Sequence, residues 1–506
     1  MTRSQWFVTI GILLGIFMAS MEGTVVATAM PTIVGKIGGL GSFSWVFTGY
    51  MLASTITLPI YGKLSDIYGR RQLYTIAMIF FLIASVFCGL ASSMPQLIAF
   101  RVIQGLGAGG VLPLAFIIVG AVYTLELRAR LQGLFAGVWG ISSIVGPLLG
   151  GFLVDQVSWP WVFYINLIPG VLAVALIWFF LEDDPRRAGE TAPAVDYLGA
   201  AVLSAGVVAL MMGLFELQTP AGRALLAVAA ALFIALIWIE RRAEDPILPV
   251  ALFRDRLFAA ACGHGLGTGW AAFGSIAFVP LFVQAVLGTT ATQAGATLIP
   301  LMIGWPLASM TGSRLLLRVG HRPPAIVGMC ALTLGTALMS RITAAAAQNY
   351  VMISLALMGV GMGLSVPLFM IAVQSRVERR YLGAATATIQ FSRSIGGALG
   401  IGVMGAVLAT RLAAGLTAAG VNPSVVSIDR LLDPLARVET AVAIQQSLKG
   451  ALTDAIQAVF AVAFVGAAFG LITVVLAPGG RLQRLASPED VTAASEPAGA
   501  PTGGAK

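Results

Sequence analysis

Fourteen stretches of this chain are continuously apolar over roughly 20 residues, the length that crosses ~30 Å of hydrocarbon as a helix. They lie at about 6–31, 43–63, 73–92, 95–122, 131–154, 160–181, 197–216, 222–240, 257–286, 293–316, 323–341, 349–373, 381–410 and 451–477. In lipid, only helices and closed barrels satisfy every backbone polar group. The stretches are unbroken rather than alternating, so helices are expected. Composition agrees: 58% of the 506 residues are hydrophobic and only 10% are charged. Soluble domains carry about 25% charged residues. The first stretch holds Glu22, has no clear small-residue cleavage site after it and is too long for a leader, so it reads as a span.

Orientation follows from the Lys and Arg residues of the connecting loops. An even number of spans puts both ends on one side. Twenty-one of the 30 basic residues fall there and seven on the other side, so both termini are expected in the cytoplasm. The net charge of +8 is this asymmetry, spread over short loops, and gives no support for nucleic-acid binding. Cys88, Cys262 and Cys330 all sit in apolar blocks and read as small buried hydrophobes. No metal site, phosphate-binding loop or hydrolytic triad is visible. The expectation is therefore a non-enzyme without cofactor, driven by an ion gradient.

The chain repeats itself. "GLGAGGVLPLAFIIV" at 105–119 returns as "GVGMGLSVPLFMIAV" at 359–373. "GPLLGG" at 146–151 is echoed by "GGALGI" at 396–401, and "GKLSDIYGRR" at 62–71 faintly by "SRLLLRVGHR" at 313–322. The expected architecture is an all-α membrane protein of two six-helix bundles, 1–183 and 257–477. A linker, 184–256, carries two extra spans between them. The connection 411–450 is expected to cap the outer mouth, and 478–506 to be a disordered tail. Two similar halves around a midplane cavity suit alternating access.

Polar residues within the spans are the candidate functional groups, because each is costly in lipid. Glu22 reads either as a site that takes and loses a proton or as a structural acid paired with a buried Arg. Arg101 is close enough to an interface to snorkel, with Gln104 one turn on along the same face. Asp155 is a second possible titrating site or a solvated loop acid. Arg393 is deeper and reads as a partner for an acid or an anionic head group. Gly140, Gly146, Pro147, Gly150 and Gly151 form a small-residue face for close helix packing. Trp139, Trp270, Phe273 and Phe391, with Gln104, Gln284, Gln390 and Arg393, are the candidates for lining a substrate cavity. His264 reads as a core histidine.

"GKLSDIYGRRQLY" (62–74), "RVIQGLGAGG" (101–110) and "GISSIVGPLLGG" (140–151) resemble, in order, three signatures of the major facilitator superfamily. "MEGTVVATAMP" (21–31), "WPWVFYINLIPG" (159–170) and "PLFVQAVLGTTATQAGATLIP" (280–300) are similar to its fourteen-span drug:proton antiporter branch, the QacA/EmrB type. That resemblance implies a proton-transfer role for Glu22, Arg101 and Asp155. It implies a conformational latch at Gly62, Asp66, Gly69, Arg70 and Arg71, and a hinge at the glycines of span five. The branch usually has Asp where this chain has Glu22. The expected function is export of amphipathic, cationic drugs in exchange for protons, by a monomer in the cytoplasmic membrane of a bacterium. The expected partners are such substrates, protons and membrane lipids, with no nucleic acid. The alternative is proton-driven export of lipids or lipid-like molecules.

Overall fold

The computed structural model describes residues 1–38, 44–182, 196–217, 219–243, 246–289, 291–419 and 442–479. Sixteen α-helices are present among them: α1 (Arg3–Ile37), α2 (Ser44–Tyr68), α3 (Arg70–Gly89), α4 (Met94–Val122), α5 (Leu125–Gln156), α6 (Trp161–Tyr164), α7 (Leu167–Phe180), α8 (Tyr197–Phe215), α9 (Pro220–Glu240), α10 (Arg256–Ala285), α11 (Ala291–Thr297), α12 (Ile299–Val319), α13 (Arg322–Met339), α14 (Gln348–Gln374), α15 (Leu382–Ala418) and α16 (Val442–Leu476). Twelve membrane-length apolar helices are found among the described residues. The more polar α2 and the glycine-rich α5, of 25 and 32 residues, pack among them. Large apolar side chains such as Phe80, Ile83, Phe179, Ile234 and Ile353 are exposed around the outside. A surface of that kind needs lipid rather than water.

The helices pack in two matching sets. In the first, α1 packs on α5 and α7, α4 on α2 and α3, and α3 on α7. In the second, α10 packs on α15 and α16, α14 on α12 and α13, and α13 on α16. The repeated glycines explain the match, because helices approach this closely only where side chains are absent. Gly105 and Gly109 lie against the α2 backbone, and Gly359 and Gly363 against that of α12. Gly107 lies against α3 and Gly361 against α13. The sets meet along two equivalent seams, α2 with α15 and α5 with α12. Helices α8 and α9 pack on each other, and α8 rests beside the α2–α15 seam.

Several details differ from the sequence reading. Cys330 is exposed on α13, not buried. Helix α15 continues to Ala418 and α16 begins at Val442, so both ends of the 411–450 connection are helical. Residues 420–441 of that connection, 183–195 of the linker and 480–506 of the tail lie outside the described residues.

Candidate functional site

Polar side chains from four helices and one helix break converge inside the first set. Arg101, on α4, donates from Nη1 to Glu22 Oε1 of α1 at 2.5 Å and to Gln104 Oε1 at 2.6 Å. Its Nε donates to the Val46 carbonyl at the start of α2, at 3.2 Å. Gln104 passes the chain on, donating to Ser85 Oγ of α3 at 2.7 Å. Asn166 Nδ2 donates to the other carboxylate oxygen, Glu22 Oε2, at 2.5 Å. Asn166 occupies the two-residue turn between α6 and α7, which keeps right-handed helical dihedrals and is buried. The Tyr50 ring lies under the guanidinium, 4.1 Å from its centroid to Cζ. Glu22 and Arg101 are each only 1% exposed.

Arg101 therefore does not snorkel. It is held at full depth by a carboxylate, an amide, a carbonyl and a ring, the combination that lets a buried cation persist. Of the two readings of Glu22, the geometry shows the pairing: the acid is matched to a buried Arg. Asp155 is exposed at the far end of α5 and stands apart from the cluster. Asn166 and Ser85 are members that the sequence reading did not single out. Their signal was a polar residue in an apolar block, weaker than a formal charge.

A second constellation ties the two sets together. Asp66, near the end of α2, accepts from the backbone N–H of Gly383 at 2.9 Å and of Ala384 at 3.0 Å. Both amides are at the start of α15, where unsatisfied N–H groups and the helix dipole favour an anion. Gly62 permits the approach: a Cβ there would collide with the Ala387 Cβ and the Gly383 carbonyl. Gly69 turns the chain into α3 at φ +92, a left-handed backbone that favours glycine. Arg70 acts electrostatically on Asp66, as does Lys63, and the Arg71 guanidinium lies over the Trp178 ring at 5.2 Å. At the same end of the other seam, Gln374 Nε2 donates to the Phe116 carbonyl at 3.1 Å and Arg128 Nη1 to the Gln374 carbonyl at 3.5 Å. Ala129, Leu316, Leu368 and Ile371 pack beside them.

At the opposite end the α2–α15 seam holds an apolar cavity of about 380 Å³. Met51, Met211, Leu214, Phe278, Ile401 and Gly402 are among its walls. The sequence candidates for a cavity fall elsewhere. Gln104 belongs to the buried network, and the Trp270 indole is fixed to the Val462 carbonyl of α16 at 3.0 Å. Gln390 and Phe391 are buried in α15, and Phe391 packs against the α2–α8 contact. Trp139 and Phe273 are exposed, while Gln284 and Arg393 are half-buried; none of the four is in the cavity wall. Phe278, which is in the wall, was missed because no periodicity separates a seam-facing from a lipid-facing ring.

The span-five glycines divide between faces. Gly146 and Gly150 lie against Thr24 and Val25 of α1, whereas Gly140 faces the Met302 carbonyl of α12 and Gly151 meets nothing within 4 Å. Nothing is described of the Pro147 side chain.

The pairwise repeat, the buried charges and the end-to-end seam point one way, and a family model described as Major Facilitator Superfamily matches residues 12–401. The chain belongs to the major facilitator superfamily. It is 37% identical over 408 residues to "Multidrug transporter protein MdtP" of Bacillus subtilis (strain 168), covering 79% of this chain and 75% of that relative. It is 38% identical over 410 residues to "Multidrug resistance protein 3" of the same organism, covering 80% of each. Among solved superfamily structures, the proton:xylose symporter XylE aligns with TM-score 0.64 at 13% identity, over 97% of this chain and 99% of that one. The human organic anion transporter MFSD10 (TETRAN) aligns with TM-score 0.61 at 15% identity, over 92% and 100%. At such identities these two speak for the fold. The chain is thus a multi-pass membrane protein of a transporter superfamily.

Proposed function

We propose that this chain exports amphipathic, chiefly cationic compounds in exchange for protons, by alternating access, as a monomer in the cytoplasmic membrane of a bacterium. The relatives' names support drug efflux as the general activity. The observation that carries the coupling is the sealed Glu22–Arg101 pair. With Glu22 ionised, Arg101 is neutralised in place and α1 and α4 are clamped. A proton on Glu22 cancels the attraction and leaves a buried guanidinium uncompensated, which costs several kcal/mol. The bundle relieves that cost by rearranging, so proton binding and helix movement are one event. Because the pair is closed to water, the proton enters only in a conformation that opens it.

In this reading α2 and α5 complete fourteen spans, two bundles flank the inserted pair α8–α9, and both termini lie in the cytoplasm. The Asp66 end is then cytoplasmic. The seams are closed there and the cavity lies toward the outside, as expected of an outward-facing state. The apolar wall suits the hydrocarbon part of an amphipathic ligand, and no resident cofactor is required. Export of lipids would use the same cavity and is the alternative outcome of the test.

The test is reconstitution into proteoliposomes with a pH-sensitive dye inside. A lipophilic cation added under an imposed proton gradient is expected to trigger proton movement at a rate that saturates with cation. No movement with any cation, together with transfer of labelled lipid between leaflets, would replace drug antiport by lipid export.

A further inference from the structure

The inserted helices carry a second group of acids that neither the cluster nor the latch uses. Asp196 caps the start of α8, its Oδ1 accepting from Gly199 N at 2.7 Å. Glu240 ends α9, is 3% exposed, and accepts from Leu248 N at 3.1 Å through Oε2. The remaining oxygens, Asp196 Oδ2 and Glu240 Oε1, are both shut off from solvent and without a hydrogen-bond partner. They point at the same place. A Cβ built on Gly199 would collide with the Asp196 carboxyl and would meet Glu240 Oε1 at 3.0 Å. Gly199 thus keeps open a small space bordered by one carboxyl oxygen of each acid.

Two carboxylates cannot both stay ionised at short range in a poorly solvated site unless cations match them. The cations nearby do not suffice. Lys63 of α2, 4% exposed, acts on Glu240 but acts on Asp66 as well. Arg241 and Arg242 follow Glu240 but are exposed, and Arg242 lies over Trp238 at 3.6 Å. The neighbouring Tyr197 is exposed and carries no charge. Among the described residues, Lys63 is the one buried lysine at the junction of the inserted pair with the latch; it acts on Glu240 and on Asp66, and Arg70 acts on Asp66 as well.

We propose that Asp196 and Glu240 form a proton-binding carboxyl pair at the Asp66 end, holding one proton between them beside the latch. The proton replaces the electrostatic repulsion with an attraction and leaves Lys63 to Asp66. Loss of the proton draws Lys63 towards the inserted helices and weakens its hold on Asp66. The inserted pair thereby acts on the α2–α15 seam, against which α8 packs. The site is separate from Glu22, and its test does not require transport.

The full chain in lipid nanodiscs is titrated while its infrared spectrum is recorded. The wild type is expected to show the C=O stretch of a protonated carboxyl that titrates as one proton in the neutral range. Glu240→Gln and Asp196→Asn are each expected to take one protonated carboxyl from that band, because each leaves a single carboxylate with no second acid beside it. The double variant removes no more than either. A band undiminished in both single variants overturns the proposal. So does its loss at constant pH on adding sodium or calcium ions, which would make the pair a metal site. Should the single variants fail to fold, Lys63→Met decides: removing the counter-charge is expected to move the titration to higher pH, and an unmoved titration overturns the proposal.

Discussion

At the scale of single residues, the burial of Arg101 sets the energetics. A guanidinium 1% exposed persists because Glu22, Gln104 and the Val46 carbonyl occupy its donors. Removing one partner of such a pair typically costs about 3–5 kcal/mol, and removing both costs less. Arg101→Met is thus expected to lower the thermal midpoint in detergent markedly, while Arg101→Met with Glu22→Leu recovers part of the loss. A double variant no better than the single would contradict the pairing. Asn166→Ala leaves Glu22 Oε2 without its donor, at a cost of about 1–3 kcal/mol, and the same melts check it. Glu22, Arg101 and Gln104 were legible because a charge or amide in an apolar block stands out. Their geometry was not legible: proximity to a span end suggested snorkelling, and only the meeting of α1, α2, α3, α4 and the α6–α7 break decides otherwise. Ser85 and Asn166 are small and polar, types that also occur in spans simply to pack.

At the scale of elements, the N-terminus of α15 is held by a carboxylate from the other half. A charge at a helix N-terminus is worth about 0.3–1 kcal/mol on a surface and up to about 2 when partly buried. Asp66→Asn is expected to loosen this end of the seam by that order. Spin labels at Tyr68 and Glu378, both exposed on either side of it, should report a longer distance component in the variant; an unchanged distribution would remove Asp66 from the latch. Gly62→Leu should act in the same direction more strongly, since its side chain would displace Ala387. The loop motif was readable as a unit in the sequence. The glycines of α5 were read as one face, yet the helical period turns Gly146 and Gly150 to α1 and Gly140 to α12. Spacing defines faces, but not which neighbour each face meets.

At the scale of the whole molecule, the internal repeat was the strongest message of the sequence. Gly105, Gly107 and Gly109 and their counterparts Gly359, Gly361 and Gly363 occupy matching contacts in the two sets. What the repeat cannot reveal is the state of the seams, because both states use the same helices. Here Ala129 is buried at the closed end while Met51 borders the cavity at the other. In a background free of native cysteines, Met51→Cys is expected to react with a membrane-impermeant thiol reagent added outside cells, and Ala129→Cys to be protected from either side. Labelling of Ala129→Cys with protection of Met51→Cys would reverse the assignment. The central claim is that Glu22 carries the coupling of proton to substrate. The most direct measurement compares Glu22→Gln with wild type in proteoliposomes, for substrate-triggered proton movement and for substrate-for-substrate exchange without a gradient. The variant is expected to retain exchange and lose proton movement. Proton movement at the wild-type rate in Glu22→Gln would contradict it.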